Sequence, residues 1–291
     1  MKLGAHESIS GGLHKAFDRA VAVGCEALQL FVKSSRSWQA KKLTDEEIRL
    51  FRQKAVETGI SPVVGHSSYL INLAAPQDSL WQRSINMLIT ELERCETLGI
   101  PYLVLHPGSH TGLGETEGLK RIAQALGQVH TATRGFTCKI LLETTAGQGT
   151  ALGYRFEHLA WLLDHSPQAD RLGICLDTCH LFAAGYDLRT REAYETTMNR
   201  LDASIGLDRV HVIHLNDSRH GPGSRIDRHE HIGKGELGLE AFRMIVNDPR
   251  FNPDIPGLIE TPKGEDLRED RENLAVLRSL LTRAGRRKCI R

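Results

Sequence analysis

The chain has 291 residues, with 37 Lys and Arg against 36 Asp and Glu, a formal net charge of +1 with histidine neutral. That balance excludes a generally basic nucleic-acid coat protein and an acidic tail protein, so any contact with phosphates must come from a local patch or from bound metal. A 40% hydrophobic content excludes disorder, and no run of 18 residues escapes charged or polar interruption, so no membrane partner is expected.

The N-terminal MKLGAHESISGGLHKAF lacks a long apolar core and a cleavage-like site, and is read as belonging to a soluble, cytoplasmic protein. Six cysteines (Cys25, Cys95, Cys138, Cys175, Cys179 and Cys289) form no C-x-x-C pair and are read as reduced thiols.

Along the chain, short apolar or β-branched runs alternate with segments of helical spacing. The strand Leu3–His6 precedes a helix over Leu13–Val23, Ala27–Phe31 precedes Asp45–Glu57, Pro62–His66 precedes Ser79–Leu98, and Tyr102–His106 precedes Glu117–Ala132. The second half repeats the pattern: Lys139–Glu143 with Phe156–Asp164, Leu172–Asp177 with Arg191–Ile205, Val210–Leu215 with Leu239–Val246, and Gly257–Glu260 with Asp270–Leu281. Thr44-x-x-Glu47 reads as a capping box, and Gly24, Gly59 and Gly99 as helix stops. Eight strand-helix units without a linker-like stretch predict an α/β fold, a single (β/α)8 TIM barrel over residues 1–291; a doubly wound open sheet is the weaker alternative.

A barrel places reactive groups at the C-terminal ends of its strands. Strands three to eight end in His66, His106, Glu143, Asp177, His214 and Glu260, all metal-competent types. Three carboxylates at one mouth repel and raise each other's pKa unless cations keep them ionised, so metal is the economical reading. Imidazole mixed with carboxylate suits zinc or manganese, and the scarcity of thiolates points to a catalytic site. The following loops add His180, Asp227 and His229, giving nine ligands, roughly three per ion. Cys179 is read as packing, and His110, His231 and Asp217 as supports rather than ligands. Closely spaced metals joined by a carboxylate suit hydrolysis of a phosphate ester. Gly147-Gln148-Gly149 and Gly233-Lys234-Gly235 fit neither phosphate-loop pattern, so no nucleotide cofactor is expected.

The long segments Leu142-Glu143-Thr144-Thr145-Ala146-Gly147-Gln148-Gly149, Leu176-Asp177-Thr178-Cys179-His180 running to Asp187, and His214-Leu215-Asn216-Asp217 running to Asp227-Arg228-His229 resemble the endonuclease IV family of apurinic/apyrimidinic (AP) endonucleases. Gly4-Ala5-His6, His66-Ser67-Ser68-Tyr69, His106-Pro107-Gly108-Ser109-His110 and Glu260-Thr261-Pro262 extend the likeness to nearly the whole chain. The resemblance implies three zinc ions, with manganese accommodated at some sites. It implies His66, His106 and Glu143 for the first ion, Glu143, Asp177, His214 and Glu260 for the second, and His180, Asp227 and His229 for the third.

It also implies Glu143 and Glu260 as catalytic, and a monomer acting on duplex DNA with abasic sites or blocked 3′ ends. The phosphodiester 5′ to the lesion is cut to leave a 3′-hydroxyl and a 5′-deoxyribose phosphate. Arg36, Tyr69 and Leu70 are the implied DNA wedge. The family's usual Lys-Asn-x-Arg-x-Trp is here Lys33-Ser34-Ser35-Arg36-Ser37-Trp38, without the amide side chain. Two rivals are a sugar isomerase or epimerase on the same barrel, which would use Glu143, Asp177, His214 and Glu260 and leave five ligands surplus, and a non-catalytic zinc-dependent DNA-binding protein.

Overall fold

Eight parallel strands, each hydrogen-bonded to its successor and the last to the first, close into a barrel. They are β1 (Lys2–His6), β2 (Ala27–Phe31), β3 (Val63–His66), β4 (Tyr102–Leu105), β5 (Lys139–Glu143), β6 (Leu172–Asp177), β7 (Val210–His214) and β8 (Pro256–Ile259). The computed structural model describes residues 1–282; Cys289 and the end of the predicted 1–291 domain lie outside the described residues.

The alternation of side chains along each strand sorts them into two cores. Ala27, Val64, Val104, Leu141, Cys175, Val212 and Leu258 form a sealed cluster, and their neighbours, among them Leu28, Leu103, Ile140, Leu142, Ile174 and Ile213, pack with the helices in a second. Both faces of the strands are buried, which is why they read as nearly continuous apolar runs rather than strict alternations. Gly4 is obligatory in β1: a Cβ there would lie 1.9 Å from the Ala27 carbonyl oxygen of β2.

The helices are α1 (Lys15–Val23), α2 (Asp45–Thr58), α3 (Asp78–Leu98), α4 (Glu115–Ala132), α5 (Phe156–His165), α6 (Thr178–Ala184), α7 (Arg191–Ser204), α8 (Gly238–Val246) and α9 (Arg268–Leu280). Thr44 and Glu47 make the capping box reciprocally at the start of α2, and Gly24, Gly59 and Gly99 take left-handed conformations past α1, α2 and α3.

One helix departs from the sequence reading. The seven residues of α6 start directly after β6, with Asp177 as N-cap accepting from the His180 backbone N–H. Six of the seven are buried, so no polar face marks the helical period. Two short antiparallel ribbons, Gly108–Ser109 with Ala151–Leu152 and Asp217–Ser218 with His229–Glu230, order the loops at the C-terminal mouth. Among the described residues no helix is long and apolar enough to cross a membrane.

Candidate metal centre

All nine predicted ligands converge at the C-terminal mouth, several of them lining an open cavity of about 380 Å³ together with Tyr69, Arg219, Arg228 and Pro262. Ligand atoms lie within 4.8 Å of one another in the groups His66–His106–Glu143, Glu143–Asp177–His214–Glu260 and His180–Asp227–His229. These are the three sets implied above, with Glu143 in two of them. A fourth grouping, Asp177–Cys179–His229, overlaps the others.

Glu143 ends β5 at the centre of the cluster, fully buried. Its Oε2 lies 3.3 Å from His66 Nε2 and 3.0 Å from His106 Nε2. Its Oε1 lies 3.1 Å from His214 Nδ1 and 3.2 Å from His180 Nδ1. His214 Nδ1 also stands 3.3 Å from Glu260 Oε2 and 3.7 Å from Asp177 Oδ2. In the third group His180 Nε2 is 3.2 Å and His229 Nε2 3.6 Å from Asp227 Oδ1.

The partners of the opposite ring nitrogens decide what these contacts mean. His66 Nδ1 is 2.8 Å from the Ser67 carbonyl, His180 Nδ1 2.8 Å from the Thr144 carbonyl and His229 Nδ1 3.2 Å from the Glu260 carbonyl. A carbonyl oxygen only accepts, so each of these nitrogens carries the hydrogen, and in a neutral ring the other presents a lone pair. That lone pair faces a carboxylate oxygen, an acceptor against an acceptor. Glu143 Oε2, His180 Nε2 and His229 Nε2 are accordingly buried without a hydrogen-bond partner.

A cation between the facing atoms satisfies this arrangement, and carbonyl-anchored imidazoles are the usual supports of metal-binding histidine. Without one, proton uptake on the ring is what eases the contact at His66 and His180. Burial acts most strongly on His66, His180 and His214 and lowers their pKa, but the facing carboxylates outweigh it and leave all three raised. Burial likewise raises Glu143 and Glu260, and the surrounding histidines more than reverse it, holding both well below the ordinary carboxylate range. Asp227 is brought down to about 2, His180 overcoming its burial. The donor set of imidazoles and carboxylates therefore fits a divalent cation of the zinc or manganese type.

Two buried carboxamides that sequence reading missed organise the second group. Gln29 of β2 donates from Nε2 to Glu260 Oε1 at 2.6 Å and accepts at Oε1 from His214 Nε2 at 2.9 Å. Its amide thus sets the His214 tautomer, turning Nδ1 toward the carboxylates. Asn216 donates to Asp177 Oδ2 at 2.7 Å, and its side-chain oxygen accepts from the Glu260 backbone N–H at 2.8 Å. A polar residue in the apolar run Ala-Leu-Gln-Leu-Phe was the available signal for Gln29. His6 also reaches Glu260 Oε1, at 3.3 Å.

The expected supports sort by their contacts. Asp217 accepts from the backbone N–H groups of Ser218, Gly233, Gly235 and Leu237, fastening the loop that carries Asp227 and His229. Gly235 must lack a side chain there, because a Cβ would stand 2.5 Å from Asp217 Oδ1. His110 Nδ1 accepts from Gly112 and Gly114 in a turn, and His231 pairs with Asn273. The Cys179 thiol is pushed up to about 12, chiefly by burial, which keeps it protonated.

Of the predicted wedge, Arg36 is exposed and Leu70 half-buried. Tyr69 is 69% exposed and lies edge-on to Phe31, with ring centroids 5.3 Å apart. Lys33, by contrast, is only 5% exposed and turns its ammonium inward.

The chain matches the family model of xylose isomerase-like TIM barrels over residues 17–280. It is 59% identical over 280 residues to the probable endonuclease 4 of Chloroflexus aurantiacus, covering 96% of this chain and 98% of that one. Identity to the probable endonuclease 4 of Citrifermentans bemidjiense is 48% over 279 residues, with the same coverage. The crystal structure of endonuclease IV from Thermus thermophilus superposes with a TM-score of 0.83 at 39% identity, covering 96% of this chain and 98% of that one. A D-tagatose 3-epimerase-like protein, 18% identical with a TM-score of 0.73 and the same coverage, shares the fold.

Proposed function

The chain belongs to the endonuclease IV family of AP endonucleases, and from that membership we propose a metal-dependent hydrolase that cuts duplex DNA 5′ to an abasic site, leaving a 3′-hydroxyl and a 5′-deoxyribose phosphate, and that also clears blocked 3′ ends. The observation that carries it is the placement of Glu143 in two adjoining ligand groups with the third group against them. An isomerase of this fold employs one or two ions held by Glu143, Asp177, His214 and Glu260, and leaves the other five ligands idle.

The residues that would hold three zinc ions, with manganese accommodated at some sites, are His66, His106 and Glu143; Glu143, Asp177, His214 and Glu260; and His180, Asp227 and His229. Ions held there supply Lewis-acid charge for activating water and for neutralising phosphate and leaving oxygens. The chain's own contribution is orientation. Glu260 has Oε1 held by Gln29 and His6, which fixes the carboxylate in the orientation that would align an attacking water. Glu143 keeps the central histidines at their spacing, and the carbonyls of Ser67, Thr144 and Glu260 hold the rings in one tautomer. Arg36, Tyr69 and Leu70 enter the duplex at the lesion, where a missing base makes unstacking least costly. The same reading takes the chain as a single barrel domain, a monomer acting inside the cell.

The test is incubation of the purified protein with a duplex carrying one tetrahydrofuran abasic analogue, with and without chelator, followed by analysis of the ends. Chelator-sensitive incision 5′ to the analogue with a 3′-hydroxyl is expected. Metal-loaded protein that leaves the duplex intact overturns the proposal.

A further inference from the structure

Lys33 and Glu91 are buried ionisable groups that the metal chemistry does not use. Glu91 lies on the inner face of α3 with no exposed surface, and Lys33 follows β2. The ammonium stands 3.5 Å from Glu91 Oε1 and donates to the carbonyls of Ser34 and Ser37 at 2.8 and 2.6 Å. It thereby closes the turn that displays Arg36. The two Glu91 oxygens accept from the Ser68 backbone N–H at 3.3 and 3.1 Å, immediately before Tyr69. One carboxylate therefore touches both loops that bear the proposed DNA wedge.

The same helix grips the first loop twice more. Arg94 donates to the Val32 and Lys41 carbonyls at 2.6 and 2.7 Å, and the Arg83 guanidinium lies 4.4 Å over the Trp38 ring. Those contacts fix the loop's ends and middle to α3. Only the Lys33–Glu91 pair relates the Arg36 turn to the Tyr69 turn among these contacts.

We propose that Glu91 and Lys33 are positioning residues that hold Arg36 and Tyr69 at one fixed separation, so that damaged and intact duplex are told apart by a preset wedge rather than one assembled on binding. Two loops ordered in advance lose less conformational freedom when they enter DNA. The gain goes only to the duplex they can enter, so the pair should act on discrimination and leave general phosphate attraction alone.

This inference rests on the wedge reading above, and the experiment separates the two. Dissociation constants for an abasic-analogue duplex and an undamaged duplex are measured at one salt concentration, with metal per chain determined on the same samples. The proteins are the unaltered chain, the triple variant Arg36→Ala/Tyr69→Ala/Leu70→Ala, Glu91→Gln, Lys33→Met and the double variant Lys33→Met/Glu91→Gln. Glu91→Gln keeps the shape and one acceptor for Ser68 while removing the charge.

The expected result is a roughly tenfold fall in the abasic-to-intact affinity ratio for each single variant, no further fall in the double variant, and unchanged metal content, because residues acting as one unit are not additive. Equal weakening toward both duplexes, or additive losses in the double variant, overturns the positioning role. A triple variant that retains discrimination overturns the wedge reading and this inference with it. Loss of metal in Glu91→Gln and Lys33→Met also overturns it, by assigning the pair to support of the barrel mouth.

Discussion

The interior of the barrel contains two layers built from the same strands, and they solve opposite problems. In the lower layer Ala27, Val64, Val104, Leu141, Cys175, Val212 and Leu258 pack without any exposed surface. Two residues further along each strand stand Gln29, His66, His106, Glu143, Asp177, His214 and Glu260. The lower layer is complete as it folds, because apolar groups need only contact. The upper layer is incomplete, since its lone pairs face its carboxylates and some buried atoms find no hydrogen-bond partner. A step of two residues thus separates a layer that stabilises the fold from one that stores unmet electrostatic demand for a cation.

If that contrast is right, substitutions should divide cleanly between activity and stability. Removing Glu143 or Glu260 by mutation to Ala should bring cleavage below detection while abasic-duplex binding stays within about tenfold, since much of the grip on DNA comes from contacts outside the centre. Cleavage surviving in either variant removes that carboxylate from the reaction. In the lower layer, Leu141→Ala should lower unfolding free energy by about 3 kcal/mol through lost burial and a residual cavity, with metal per chain unchanged. A denaturant titration showing no loss would mean that the layer is loosely packed.

Within the upper layer, His180→Ala, Asp227→Ala and His229→Ala should each lower turnover roughly 100-fold by withdrawing charge stabilisation, and single-turnover rates near the unaltered value in all three would show the third group to be idle. Gln29→Leu should weaken metal retention or turnover by about tenfold, because it leaves the His214 tautomer and Glu260 unsupported. Equilibrium dialysis at a series of metal concentrations checks it, and unchanged retention with unchanged turnover would make Gln29 mere filling.

The smallest effect concerns a third solution to buried charge, beside β1. Glu7 and Asp270 share Lys263, whose Nζ lies 3.4 and 2.5 Å from them. Burial, with help from Asp270, lifts the Glu7 carboxyl to about 7 against the pull of Lys263. A folded pKa above the unfolded one makes stability fall as pH rises from about 4.5 to about 7. Glu7→Gln should therefore gain stability at pH 8 and nothing below pH 4.5. Thermal melts at both pH values would decide it, and an equal shift at both would show that Glu7 stays ionised throughout.

The alternation of eight apolar runs with helical segments was legible in the chain, and so were the six strand-end ligands, because a parallel barrel turns each strand's C-terminus to one mouth. The boundaries of the helices were legible where caps announce them, as at Thr44 and Gly59, and α6 was not, because a buried helix of seven residues shows no amphipathic period. Gln29, Asn216 and Glu91 also escaped. Each is a polar residue within or beside an apolar pattern, and local sequence does not say which distant groups it will meet: Gln29 meets Glu260 across 231 positions, and Glu91 meets Ser68 across 23. The sequence alone determined the order of the eight strands and of the amphipathic helices between them, and the kinds of donor at the mouth, since periodicity and side-chain chemistry are local properties. Only the tertiary structure decided which nitrogen of each histidine faces inward and that Lys33 turns away from solvent, because those depend on distances that exist only once the barrel has closed.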